Sequence, residues 1–266
     1  MDNLSTNNKH QNTFLQYIKT THSKSNYIVI LLHMFKFILS ILYPVFCLGC
    51  GKYGDIVCEK CLLNERNIRN VICTRCATIL EYENQKHKCR CIEYLDEVYS
   101  VYVFEGIVKS IIKKCKYKGE YSWLKHLLDI TKTQDFKILK IRKTNEQVYI
   151  HPVPLSSNKL KSRGFNQSDI IAKKLSEVLN VKTVDIAKKI NNTTSQALKS
   201  SIEERKRNTK DTFYIKRHPK LLIDTIIIVD DIFTSGETVK ELSRVLRLNF
   251  PSVSRIIAFT LSRAIS

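Results

Sequence analysis

The residues with the clearest chemical potential lie in one short stretch, 226–238, which reads IIIVDDIFTSGET. Two adjacent carboxylates, Asp230 and Asp231, follow an apolar run, and small hydroxylated residues and a glycine come next. Carboxylates accept hydrogen bonds from sugar hydroxyls or bind a metal ion. Backbone N–H groups at the start of a helix bind phosphate, and Gly236 would let the backbone approach it closely. The stretch therefore predicts a site for a ribose 5-phosphate.

The elements that would position these groups are a strand and a helix. Ile226–Val229 is apolar and rich in β-branched residues, which predicts a strand buried on both faces of a parallel sheet. Apolar residues at helical spacing begin at Val239. Such sheets bind ligands at the carboxyl ends of their strands. The alternative is an ordinary strand–turn–helix in which Thr234 and Glu237 form a capping box, but this leaves the two adjacent acids unexplained.

The composition is that of a soluble globular protein with one or two domains. The 266 residues are 43% hydrophobic and 26% charged. Lysine and arginine number 44 against 25 acidic residues, which gives a net charge of +19. This excess favours polyanionic partners such as nucleic acid, a phosphorylated substrate or an anionic membrane surface, although a lysine-rich solvated surface accounts for it equally. No secretory cleavage pattern is visible, so the cysteines are expected to be reduced or to bind metal.

Eight of the nine cysteines form four close pairs, a pattern typical of zinc sites. Two pairs of thiolates, each held by a tight turn, can bind one tetrahedral Zn²⁺. In chain order the pairs predict two structural zinc sites in a double zinc ribbon over residues 47–95. The last pair has one spacer residue fewer, so His87 is an alternative ligand there. The ninth cysteine, Cys115, is predicted to be a free thiol in the core. The eight predicted ligands are Cys47, Cys50, Cys58, Cys61, Cys73, Cys76, Cys89 and Cys91.

The N-terminal part of the chain carries two further predictions. Residues 1–26 are polar and are expected to form a disordered tail. Residues 27–46 are apolar and long enough to span a bilayer, but Lys36 would be costly in hydrocarbon. A helix that docks on the domain behind it is therefore favoured over a membrane span. Met34 lies inside this helix and is an alternative start of translation to Met1.

A second loop carries basic groups after the predicted strand Val148–Ile150. Prolines end this strand, and the sequence RGFNQSD, 163–169, leads into an apolar helical pattern. Arg163 can bind a pyrophosphate through two parallel hydrogen bonds, and Gly164 permits close approach. A surface arginine near a helix start explains the same residues equally well. The lysines of residues 113–118 are either a solvated basic face or one wall of an anion pocket.

Taken in order, the motifs resemble the ComF/GntX family of bacterial proteins. The resemblance rests on the double cysteine module, YKG at 117–119, PVPL followed by RGFNQ, Gln196, the pair Arg205 and Asn208, and VDD-x2-TSG-x-T. The last of these resembles the phosphoribosyl pyrophosphate (PRPP) motif of type I phosphoribosyltransferases. The resemblance implies an α/β fold at residues 96–266, with a mostly parallel sheet flanked by helices, preceded by the zinc module.

The resemblance also implies a ligand and roles for individual residues. Asp230 and Asp231 match the acids that contact ribose and Mg²⁺, and Arg163 and Gly164 fall in the loop that faces the pyrophosphate. Both acids and Arg163 would be the catalytic residues of a transferase that displaces pyrophosphate from PRPP with a nitrogen nucleophile, whose identity the sequence leaves open. The implied 5-phosphate loop is Thr234, Ser235, Gly236, Glu237 and Thr238.

The family is linked to the uptake of single-stranded DNA during natural transformation. The resemblance therefore implies single-stranded DNA and DNA-uptake proteins as partners. We expect a cytoplasmic location and, because of Lys36, no insertion into the membrane. The alternative is a non-enzymatic PRPP-responsive or nucleic-acid-binding protein that retains the fold. The chain departs from the family pattern at two places, the Cys89–Cys91 spacing and the long N-terminus.

Overall fold

The structure of the chain, a computed structural model, divides into two compact units: residues 1–47 with 51–55, and residues 48–50 with 56–266. The predicted tail at 1–26 lies outside the described residues, and those described between 30 and 42 are helical. Every helix in the described part of the chain is too short or too polar to cross a membrane. The described residues are 30–31, 34–35, 38, 41–65, 67–68, 72–82, 85–89, 92–139, 141, 146–190, 212–216 and 221–265.

The larger unit is built on a parallel sheet. Its described residues form the strands β1 (Glu97–Val103), β2 (Val148–Pro152), β3 (Ala187–Lys189), β4 (Phe213–Ile215), β5 (Thr225–Phe233) and β6 (Arg255–Arg263). Four of them pair in the order β1-β6-β5-β2, and all three pairings are parallel. Strand β5 is therefore internal, and Ile226–Val229 is fully buried within it. This confirms the predicted strand.

Helices flank the sheet. The described residues form α1 (Glu59–Leu63), α2 (Gly106–Lys118), α3 (Tyr121–Ile130), α4 (Thr133–Phe136), α5 (Ser157–Arg163), α6 (Gln167–Leu179) and α7 (Glu237–Asn249). Helix α3 packs against α2 and α6, and α6 packs against β2 and β5. Val239 and Leu242 of α7 belong to one apolar cluster with Ile226 and Ile228 of β5. The predicted α/β class is thus confirmed, and the architecture is compatible with a type I phosphoribosyltransferase fold.

The stretch around the acid pair differs from the prediction in two details. Strand β5 continues through Asp230 and Asp231 as far as Phe233, because its ladder with β6 extends to that residue. The acids therefore lie inside the strand and not after it. Helix α7 has Gly236 as its N-cap and no side chain that caps it, so Thr234 does not form the alternative capping box.

Strands β3 and β4 form a separate antiparallel pair. The sequence between them, 191–211, lies outside the described residues, and with it Gln196, Arg205 and Asn208. The division into a zinc module at 47–95 and a second domain at 96–266 remains a prediction.

Candidate ligand site and metal centres

The two carboxylates occupy different environments near the carboxyl end of β5. Asp231 is buried, and its Oδ1 and Oδ2 lie 2.9 and 2.8 Å from Nζ of Lys116 on α2. Oδ1 of Asp230 accepts hydrogen bonds from Oγ of Ser168 on α6 and from the backbone N–H of Asp231, both at 2.9 Å. Helix α2 therefore brings a cation to the pair, and α6 brings a hydroxyl group.

Burial and the neighbouring charge of Asp231 raise the pKa of Asp230 to about 7. The hydrogen bonds from the Asp231 N–H and the Ser168 hydroxyl, and the charge of Lys116, act in the opposite direction. The pair therefore holds a second negative charge only with difficulty near neutral pH. A positive ion or a hydroxyl donor at this position would favour the ionised form.

The predicted 5-phosphate loop joins β5 to α7. Gly236 has φ +82, in the left-handed region, and a Cβ there would lie 2.7 Å from Cζ of the Phe233 ring. Glycine is therefore required at this position. Thr234 and Ser235 are exposed, and the first turn of α7 has no side-chain cap. The loop thus offers hydroxyl groups and helix N–H groups within a few residues of the acid pair.

Arg163 is the last residue of α5, and Gly164 caps this helix in the left-handed conformation, with φ +78. Nη1 of Arg163 donates a hydrogen bond to Oε1 of Gln167 at 3.2 Å. Helix α5 packs against α2, which carries Cys115. Burial and the charge of Asp231 raise the pKa of Cys115 to about 12, and the charge of Arg163 opposes this rise. Helix α5 therefore places Arg163 near α2, and Cys115 is the buried thiol that the sequence predicts.

Two residues of the site were not identified from the sequence. Ser168 belongs to the RGFNQSD sequence. Nothing in that sequence indicated that the Ser168 hydroxyl contacts Asp230. Lys116 belongs to the lysine cluster, but it contacts a carboxylate and not an anion pocket. Of the other lysines in this cluster, Lys113 and Lys118 are exposed.

The first cysteine group brings together the four predicted thiols of Cys47, Cys50, Cys58 and Cys61. Their Sγ atoms all lie within 4.8 Å of one another, and the Sγ atoms of Cys50 and Cys58 are 3.8 Å apart. Tetrahedral zinc with Zn–S bonds of about 2.3 Å separates its sulfur ligands by about 3.8 Å. A Cβ at Gly49 would lie 2.8 Å from the Cys61 sulfur, so this turn needs glycine. The donor set and its spacing fit Zn²⁺.

The second cysteine group consists of Cys73, Cys76, His87 and Cys89, whose ligand atoms also lie within 4.8 Å of one another. Nε2 of His87 is 3.2 Å from the Cys76 sulfur, so the alternative ligand joins the group. Cys91 lies outside the described residues. Burial raises the pKa of the Cys76 thiol, but hydrogen bonds with Thr78 and His87 outweigh it and lower the pKa to about 6. This favours the thiolate that binds metal.

Four aromatic rings and one lysine, two of the rings exposed, share a surface formed by α2, α3 and the turn after α5. Tyr117 is 79% exposed and Tyr121 is 56% exposed. Nζ of Lys114 lies 4.0 Å from the centre of the Trp123 ring, and the rings of Tyr121 and Phe165 meet edge to face at 5.8 Å. These five residues are called the aromatic–lysine surface below. Tyr117 directly follows Lys116, whose Nζ contacts Asp231 of the candidate site.

Comparison with known proteins gave relatives but no matching family model. Competence protein F of Haemophilus influenzae is 25% identical, over 66% of this chain and 78% of that protein. Competence protein ComFC of Bacillus subtilis is 23% identical, over 80% of this chain and 86% of that protein. DNA utilization protein YhgH of Escherichia coli K12 is 34% identical, over 36% of this chain and 42% of that protein.

These relatives support assignment of the chain to the ComF family. The ComF assignment agrees with the resemblance carried by the cysteine pairs and the acid-pair motif. Two independent features of the described structure are consistent with it, namely the parallel sheet with the acids at its carboxyl edge and the two cysteine groups.

Proposed function

We propose that the chain binds PRPP with Mg²⁺ at residues 230–238. The observation that carries this proposal is the position of the acid pair at the carboxyl end of an internal parallel strand, followed by a helix start without a side-chain cap. Ligands of open α/β sheets bind at this end of the strands. Carboxylates match the hydroxyls of a ribose 5-phosphate, and helix N–H groups match its phosphate.

In this proposal Asp230 and Asp231 accept hydrogen bonds from ribose hydroxyls, and residues 234–238 hold the 5-phosphate. Carboxylate oxygens are ligands that Mg²⁺ prefers, so the acid pair fits this ion. Mg²⁺ bound there with PRPP would neutralise negative charge on the pyrophosphate. Both oxygens of Asp231 contact Lys116, so a ligand at Asp231 shares the carboxylate with this lysine or displaces it.

The proposed reaction is displacement of pyrophosphate at the anomeric carbon of PRPP. A nitrogen nucleophile forms the new C–N bond, the C–O bond to pyrophosphate breaks, and the bonding electrons leave with the pyrophosphate. Arg163 would stabilise the charge of this leaving group. A non-enzymatic PRPP-responsive protein would use the same contacts without the nucleophile.

We also propose a role in the handling of single-stranded DNA. Relatives named as competence and DNA utilization proteins support this role. A groove that binds single strands combines positive charge with exposed aromatic rings on which bases stack. The net charge of +19 and the aromatic–lysine surface supply both components.

Titration calorimetry of PRPP in the presence of Mg²⁺ tests the first proposal. The wild-type chain is expected to bind, and Gly236→Ala is expected to weaken binding because the new Cβ overlaps the Phe233 ring. Gly119→Ala is the matched control, since Gly119 has a similar φ of +71 and open space around it. A wild-type chain that gives no PRPP heat contradicts the proposal. Release of pyrophosphate with a panel of bases and amines separates a transferase from a non-enzymatic binder.

A further inference from the structure

We infer that Arg263 couples the second cysteine group to the loop at residues 233–236. A metal ion held by that group would thereby keep the loop in the conformation described above. Arg263 is the last residue of β6 and is 9% exposed. It is a positioning residue, because it contacts the backbone of the loop and not the ligand.

The hydrogen bonds of the Arg263 guanidinium join distant parts of the chain. Nε donates to the Ala77 carbonyl at 2.9 Å. Nη1 donates to the carbonyls of Phe233 at 3.2 Å and Thr234 at 2.6 Å, and to the neighbouring Ala264 carbonyl at 2.6 Å. The guanidinium is planar, always charged and has donors in fixed directions. It therefore fixes the position of residue 77 relative to residues 233–234.

The first end of this connection lies in the cysteine group. Ala77 follows Cys76, is fully buried and has φ +57, which is unfavourable for a residue with a Cβ. Its N–H donates to the Cys73 carbonyl at 2.8 Å and closes the turn that presents both thiols. A metal ion that holds this turn also holds the Ala77 carbonyl toward Arg263.

The other end lies beneath the start of α7. The guanidinium carbon of Arg263 is 5.2 Å from the centre of the Phe233 ring, and this ring fills the space below Gly236. Arg263 thus contacts the backbone of Phe233 and Thr234 and the ring on which the glycine rests. The orientation of the first N–H groups of α7 depends on these contacts.

Charge supports the same connection. Zn²⁺ with three thiolates and one neutral imidazole carries one net negative charge, and Arg263 carries one positive charge. A buried guanidinium without a nearby opposite charge is costly. Loss of the metal would release the turn that holds the Ala77 carbonyl toward Arg263, and the loop would loosen.

Hydrogen exchange of the full chain, read in peptides that cover residues 233–240, tests the inference without any ligand. His87→Ala is expected to lose one zinc ion per chain and to speed exchange in this loop by about tenfold. Arg263→Lys keeps the charge but not the forked hydrogen bonds. It is expected to retain zinc and to speed exchange in the same peptides.

Cys58→Ser is the matched control, because it removes one ligand of the first cysteine group, which Arg263 does not contact. It is expected to lose zinc and to leave exchange at 233–240 unchanged. Exchange in α6, to which none of the Arg263 hydrogen bonds given above runs, reports whether a variant has unfolded as a whole. A zinc-depleted His87→Ala chain or an Arg263→Lys chain with wild-type exchange at 233–240 overturns the inference.

A second readout rests on the proposed function. PRPP affinity is expected to fall about tenfold in His87→Ala and Arg263→Lys and to stay unchanged in Cys58→Ser, as a loosened phosphate loop must be ordered on binding. If the wild-type chain does not bind PRPP, the proposed function fails, and the exchange measurement alone decides whether the coupling exists.

Discussion

Asp230 and Asp231 are adjacent in sequence, but they have different contacts. Removing the negative charge of each is therefore expected to change thermal stability differently. Asp230→Asn keeps an oxygen for the Ser168 hydroxyl and removes a charge that burial disfavours, so we expect unchanged or higher thermal stability. Asp231→Asn leaves Lys116 without its carboxylate, so we expect lower stability. Each change removes a charge-assisted bond worth about 1.5–3 kcal/mol, so PRPP affinity should fall about ten- to a hundredfold.

Thermal unfolding and calorimetric titration of both variants measure these effects. Equal changes in the melting temperature of the two variants would contradict the different environments of the two acids. Wild-type PRPP affinity in both variants would contradict their role in binding the sugar.

His151 on β2 predicts a dependence of stability on pH. The side chain is fully buried, and its Nδ1 donates to the Val184 carbonyl at 3.0 Å. Burial lowers the pKa of His151 from 6.5 to about 4; the Val184 hydrogen bond and Asp185 oppose this shift, and Lys216 adds to it. The unfolded chain therefore binds more protons than the folded chain between these pH values, and stability falls as pH falls from 6.5.

The expected loss attributable to His151 is about 2 kcal/mol at pH 5. Urea unfolding at neutral and acidic pH measures it. His151→Asn retains a donor for the Val184 carbonyl but cannot titrate, so it is expected to reduce the dependence of unfolding free energy on pH in this range. The same slope in wild type and variant would show that other groups cause it.

At the scale of elements, the cysteine turns are expected to be metal-dependent folding units. Two groups of four ligands predict two Zn²⁺ per chain in protein purified without chelator. Cys58→Ser and His87→Ala should each lower the content by one ion, because they affect different groups. Metal analysis with far-UV circular dichroism before and after chelation is the test. A fully folded chain that holds no zinc would refute the expectation.

Local patterns predicted the elements more successfully than the contacts between them. The apolar run at 226–229, the helical spacing from Val239 and the predicted strand at 148–150 correspond to β5, α7 and β2. The pair Lys116–Asp231 joins residues 115 positions apart, and the bond from Arg263 to Ala77 spans 186 positions. Sequence periodicity reports which face of an element is buried, but it does not report which distant side chain meets it.

At the scale of the whole molecule, the excess of positive charge predicts salt-sensitive binding of single-stranded DNA. Counterions are released when lysines and arginines neutralise phosphates, so affinity should fall steeply with added salt. The net charge of +19 supplies this attraction without regard to sequence. The basic residues Arg205, Lys206, Arg207 and Lys210 lie outside the described residues, so the aromatic–lysine surface provides the residues for a test.

Stacking of bases on exposed rings distinguishes this surface from a merely basic one. Removing one such ring costs about 1–3 kcal/mol per stacked base, so Tyr117→Ala and Tyr121→Ala should each weaken single-strand binding by about fivefold to a hundredfold. Duplex binding should change little, because paired bases do not present their faces. Tyr214→Ala removes an exposed ring on β4 and serves as the matched control.

Fluorescence anisotropy with a labelled oligonucleotide, single-stranded or annealed, at low and high salt measures all of these effects. Equal losses of single-strand affinity in the three variants would contradict a role of the aromatic–lysine surface in binding. If the wild-type chain does not bind at low salt, direct contact with DNA is contradicted, and PRPP is left as the ligand to pursue.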